Sequence, residues 1–178
     1  MKCPHCGLIV TDAVPQCPGC DFSIDALDAK LSKPPQRQGY VNDFAQLLSE
    51  KQHENLEAIL AAFAQKSGGE IALVIVKNTR PVKPSEYVFW LFNHWGIGGE
   101  RHSGLLILLA RDEHRIESEV GYSWEPIITD PESGQILDAH VVPLLQAGET
   151  FFALETAVEK LCSMINETSS DPSGHSAD

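Results

Sequence analysis

Between Ser49 and Gly68 the apolar residues Leu56, Ile59, Leu60 and Phe63 recur at i, i+3, i+4 and i+7, the interval that buries one face of a helix. Ser49 and Gln52 have the spacing of a capping box, and Gly68-Gly69 marks the stop. The next run, IALVIV (71–76), is apolar at every position and predicts a strand covered on both faces. A second helical pattern follows from Ser85 through Val88, Leu91, Phe92 and Trp95, ended by the glycines of GIGG. GLLILLA (104–110) is another doubly covered strand. The charged turn Arg111-Asp112-Glu113-His114 then reverses the chain into RIESEVG, where Ile116, Ser118 and Val120 share one face and Glu117 and Glu119 the other. That alternation predicts a strand with one covered face. Asp130-Pro131 reads as an N-cap and first helical residue, opening a helix through Ile136, Leu137 and Val141 that Pro143 ends. A last helix carries Phe151, Leu154, Val158, Leu161 and Ile165 on one stripe, with Cys162 beside it as a buried, inert thiol.

Helices alternating with buried strands predict an α/β fold, a three-layer α/β/α sandwich with a mixed sheet. The segment from Ile71 through the second helix to Ala110 is expected to be a right-handed parallel crossover, and the hairpin adds an antiparallel strand.

The first twenty residues fall outside this pattern. Cys3-Pro-His-Cys6 and Cys17-Pro-Gly-Cys20 are two C-x-x-C turns separated by ten residues. Each turn aims two sulfurs at one point, and two turns complete a tetrahedral shell of four thiolates, the pattern of a structural zinc site. A closed shell leaves no position for water or substrate, so the ion is expected to fold the segment and not to catalyse. Redox dithiols need a strand and helix around them, for which there is no room, and His5 is expected to face solvent. The chain therefore divides into a zinc ribbon at 1–24, a linker at 25–38 containing Pro34-Pro35, an α/β/α domain at 39–166 and a disordered polar tail at 167–178.

Thirteen Lys and Arg against twenty-five Asp and Glu give a formal charge of -12. Phosphate backbones would be repelled, so no nucleic-acid partner is expected. No run of eighteen apolar residues and no secretory pattern occurs, so no direct membrane insertion is expected and the protein is placed in the cytoplasm.

The succession YVNDFAQLLS, GGEIALVIV, LFNHWGIGG, SGLLILLARDEHRIESEVGYSWEPIITD and VVPLLQAGETFFAL, spanning about Gly39 to Ile165, resembles the TPM domain family, which includes a thylakoid-lumen protein linked to photosystem II repair. The resemblance implies an α/β/α sandwich. It also implies either a phosphatase-like activity or divalent-cation binding in an acidic groove. Carried over by position, the recurring polar residues are Asp43, the residue before Gly104, Glu125 and Asp130. Here the middle motif is His102-Ser103-Gly104 in place of an acidic one. A weak divalent-cation site, for calcium, would then use Asp43, Ser103, Glu125 and Asp130, with carbonyls and water completing the shell. A hydrolase acting on phosphomonoesters would use Arg101, His102, Glu125 and Asp130. Structural roles compete for each: Asp130 and Asp43 as caps, Glu125 as a loop residue, and the tryptophans Trp90, Trp95 and Trp124 as packing. His94, His102, His114 and His140 lie on separate elements, without the spacing of an acid-base or metal pair. The reading favoured is a cytoplasmic adaptor whose partners are other proteins, with the hydrolase as the alternative.

Overall fold

The computed structural model describes residues 3–8 and 16–169. Four strands, β1 (Val41–Asp43), β2 (Glu70–Val76), β3 (Gly104–Ala110) and β4 (Arg115–Val120), form one sheet in the order β1-β2-β3-β4. The first three run parallel and β4 returns antiparallel to β3. The sheet is mixed, as the pattern predicts.

Side chains alternate across a strand, and in β2 and β3 that alternation divides two apolar layers. Ile71, Leu73, Ile75, Leu105, Ile107 and Leu109 pack beneath α2 (Glu50–Ser67) and α6 (Thr150–Ser169). Ala72, Val74, Val76, Leu106, Leu108 and Ala110 pack beneath α3 (Pro84–Trp95). Helices thus cover both faces of the central strands.

The helix signals are realised by specific bonds. Ser49 and Gln52 form the reciprocal capping box, and Gly68 closes α2 at φ 69, a left-handed conformation that glycine adopts without steric cost. Gly96 ends α3 in the same way at φ 59. β1 is too short to show a period; Glu57 of α2 holds it by accepting the N–H groups of Tyr40 and Val41 at 3.0 and 2.7 Å.

Four expectations are adjusted. The segment predicted as linker begins with α1 (Ile24–Asp28), capped by Ser23, and Leu27 is buried beneath α3. Asp28 accepts the indole N–H of Trp90 at 2.7 Å, and Trp95 donates to the Pro35 carbonyl at 2.9 Å, so α3 tethers this stretch at both ends. The cap of α4 (Asp130–Ile136) is Thr129, one residue earlier than expected, in a capping box with Glu132. Pro143 does not end the chain's helical path: a single π turn (Leu137–Val141) precedes it, and it opens α5 (Val142–Gln146). The expected polar tail starts later than 167, because α6 continues through Ser169; residues 170–178 lie outside the described residues.

Ile107 is fully buried between the helical layers. Ile107→Ala should lower the unfolding free energy by about 2–5 kcal/mol. Lys51→Ala, on the exposed side of α2, should change it by less than about 0.5 kcal/mol. Urea denaturation of the two variants checks both values.

Candidate functional site

The four cysteines converge. Their sulfurs all lie within 4.8 Å of one another, with Cys3 and Cys20 at 3.8 Å and Cys6 and Cys17 at 3.7 Å. A tetrahedral shell with metal–sulfur bonds of about 2.3 Å sets neighbouring sulfurs ~3.8 Å apart, whereas a disulfide would need about 2.05 Å. The cluster can therefore hold a metal ion, and its spacing is compatible with zinc. Both turns are built alike: Cys3 N donates to Leu8 O and Gly7 N returns to Cys3 O, while Cys17 N donates to Phe22 O and Asp21 N returns to Cys17 O. The residue after each second cysteine is left-handed, Gly7 at φ 79 and Asp21 at φ 57. The N–H of Gly19 brings Cys17 down to about 7, while burial pushes Cys20 up to about 12. A divalent cation bound among the four sulfurs would supply the charge that favours their thiolate forms.

This knuckle is docked on the domain. His5 is exposed, as expected, and also donates from Nδ1 to Oε1 of buried Glu86 at 2.5 Å and stacks on Phe22, which in turn meets Phe89 edge-on. Ser85 Oγ donates to the Pro4 carbonyl at 3.2 Å. Burial opposes the charge on Glu86, but the bonds from His5 and from the Lys83 N–H outweigh it and hold the carboxyl below its usual range.

The residues expected to form an acidic rim are only partly brought together. Gly121 N donates to Gly104 O, and Ser123 bonds both the Arg101 and His102 carbonyls, so the loop after β4 lies against the loop before β3. Gly121 has no room for a side chain there, since a Cβ would lie 2.3 Å from His102 O. Ser103, whose carbonyl accepts Glu70 N, and half-buried Glu125 accordingly share one end of the sheet. Asp130 sits at the start of α4, where its Oδ1 accepts Val120 N at 2.9 Å.

Asp43 is elsewhere. It pairs in register with Ile75, and Ile75 with Leu109, five residues along β3 from Gly104, or roughly 17 Å at about 3.3 Å per residue. Its carboxylate is occupied with Ala45 N and Leu48 N at 3.1 and 2.8 Å. Arg101 points its guanidinium at the Gly68 carbonyl. Among the described residues, only the four cysteines form a group of three or more His, Cys, Asp or Glu with closely gathered ligand atoms. Trp124 is buried and packs edge-on against Phe63. Cys162 is buried, and burial together with Glu159 pushes its thiol up to about 12.

A further residue emerges at β4. Glu119 is 4% exposed, and its Oε1 is the one buried side-chain oxygen or nitrogen without a hydrogen-bond partner among the described residues. Burial, reinforced by Asp130 and Glu125, raises its pKa well above the carboxylate range. The alternation of RIESEVG assigns Glu119 to the outer face. That face continues the Leu106 and Leu108 layer covered by α3, through the pairings Leu106↔Glu119 and Leu108↔Glu117. The doubly covered partner strand was the available signal.

The sequence pattern of the TPM domain matches residues 41–164. The chain belongs to the TPM domain family. Three solved structures share the fold of this TPM domain protein. The N-terminal domain of a protein from P. gingivalis is 24% identical with a TM-score of 0.70, covering 88% of this chain and 96% of that one. The N-terminal domain of the cg2496 protein from Corynebacterium glutamicum is 18% identical with a TM-score of 0.59, covering 83% and 92%. The BA42 protein from the psychrophilic bacterium Bizionia argentinensis is 12% identical with a TM-score of 0.60, covering 70% and 85%. No curated protein matches. Among the described residues of this TPM domain protein, no helix is long and apolar enough to cross a membrane.

Glu119 sets a pH dependence. Because the folded state keeps this proton to higher pH than the unfolded chain does, stability falls as pH rises from about 4.3 toward the folded value. Glu119→Gln should raise the unfolding free energy at pH 7 by on the order of 1–3 kcal/mol, with the gain shrinking toward pH 4. Denaturation midpoints of both proteins across that range provide the check, and an equal midpoint at pH 7 contradicts the assignment.

Proposed function

We propose that this chain is a protein-interaction module, a TPM domain carrying a structural zinc knuckle, that works in the cytoplasm. The observation that carries this reading is the closed four-sulfur cluster seated on the first turn of α3 through His5, Glu86 and Ser85. Four thiolates fill the preferred coordination of zinc, so the ion contributes folding energy and offers no position to a substrate. Thiols held at metal-binding distance, and not joined as disulfides, suit a reducing compartment. The acidic surface argues for partners other than nucleic acid.

The hydrolase alternative finds less support. Phosphoryl transfer needs cationic groups or metal converging on the transferred group. Arg101 is engaged with a backbone carbonyl, His102 is exposed in a left-handed turn, and Asp130 is engaged with the β4 backbone. The divalent-cation assignment to Asp43, Ser103, Glu125 and Asp130 loses Asp43 to the opposite end of the sheet.

The purified chain should carry one zinc per molecule by elemental analysis. Cys6→Ser should lose most of that metal and lower the melting temperature. p-Nitrophenyl phosphate should be turned over no faster than in buffer. A zinc-free, fully stable chain overturns the structural role, and hydrolysis abolished by Glu125→Gln replaces the module with an enzyme.

A further inference from the structure

Between the knuckle and the outer edge of β4 lies a cleft of about 550 Å³. It touches five consecutive residues, Arg115 through Glu119. Side chains alternate across a strand, so a cavity that meets five in succession runs along the backbone edge and not over one face. β4 is the terminal strand of the sheet. Gly121 N bonds inward to Gly104 O, whereas Val120 N turns outward to Asp130. Antiparallel ladders alternate inward and outward groups, which places the N–H groups of Ser118 and Ile116 on the outward side with that of Val120. Asp130 thus satisfies one end of the edge, and the cleft borders the remainder.

The charge of this cleft is specific. Among the described residues that line it, Glu117, Glu119, Asp130 and Asp138 face one Arg or Lys, Arg115, which is already paired with Glu117 at 2.7 Å, and His5, which is bonded to Glu86. The second, independent feature is Glu119, a residue of the cleft wall that is nine-tenths buried and more and whose Oε1 has no hydrogen-bond partner among the described residues. Burial keeps such a carboxyl protonated in the empty cleft, and a cationic donor placed beside it favours the ionised form and a charge-assisted bond. A bare metal ion needs several oxygens gathered around it, and among the described residues no three acids here have their ligand atoms together. A ligand that brings one cationic group on a hydrogen-bonding backbone fits both features.

We propose that this cleft binds an extended, Lys- or Arg-bearing segment of a partner protein, added as a strand to the outer edge of β4, with its cationic side chain on Glu119. The mode is strand addition, in which main-chain bonds supply affinity and alternate side-chain contacts supply selectivity. The proposal rests on the interaction-module reading and names the chemistry of its partner. The knuckle forms one wall of the cleft, so the zinc-loaded full chain is the species that binds.

The test uses ¹⁵N-labelled, zinc-loaded full chain titrated with a blocked peptide of alternating valine and lysine. Saturable shifts centred on the outward amides of Ile116 and Ser118 are expected. Affinity should drop roughly tenfold or more in Glu119→Gln, and a peptide with proline at its inward-facing positions should not bind. Alternating valine and glutamate should also fail to bind. Absence of shifts at millimolar peptide in a chain that retains its zinc overturns the β4 site while leaving the module reading intact. Equal binding by the glutamate peptide, or by Glu119→Gln, overturns it too, as does calcium chloride alone reproducing the shifts.

Discussion

Strands β2 and β3 are apolar at all but their first positions and buried throughout their interiors, so neither face of the sheet centre can meet water. At about 25 cal/mol per Å² of apolar surface, leaving either face open would forfeit much of the stability that offsets chain entropy. Two helical layers are therefore required, and the connections supply them: α2 and α6 on one side, α3 with the preceding α1 on the other. The antiparallel β4 inherits this situation. Its partner β3 is covered on both faces, so the residues of β4 facing α3 are drawn into cover whatever their polarity, and Glu119 is one of them.

The same requirement gives the four-cysteine segment its position. A segment of some twenty residues cannot bury a core of its own, and an ion held by the four sulfurs would supply the folding energy that it lacks. Its outer surface then adds to the α3 layer through Phe22, which packs against Phe89, and through the bond from His5 to Glu86. Glu86 does two things at once, accepting the Lys83 N–H that begins α3 and anchoring the knuckle. The join between the two parts of the chain is thus a helix N-terminus with its capping carboxylate shared.

Much of this was legible in the residues. The periodicity of α2, the two continuous apolar strands, the hairpin and the cysteine spacing each rest on local physics that survives folding, and the TPM motifs follow the same order. What escaped depends on contacts distant in sequence. β1 is three residues long and is recognisable only by the partner it pairs with. Asp43 was grouped with Ser103 and Glu125 by family position, but parallel pairing carries it to the far end of the sheet. Asp130 looks like a cap in isolation; Thr129 takes that role with Glu132, which releases Asp130 to reach the β4 backbone. The burial of Glu119 follows from what lies above it, which alternation along a single strand does not encode.

The knuckle lining the cleft beside β4 ties two equilibria together. Were the knuckle ordered by its metal, an occupant that contacts the ordered form would bind the metal-loaded chain more tightly than the metal-free one. Thermodynamic reciprocity then requires the occupied cleft to retain the ion more tightly, by the same factor. Metal exchange would thereby slow when the cleft is filled and quicken when it empties, so the four sulfurs report on an edge of the sheet they do not belong to.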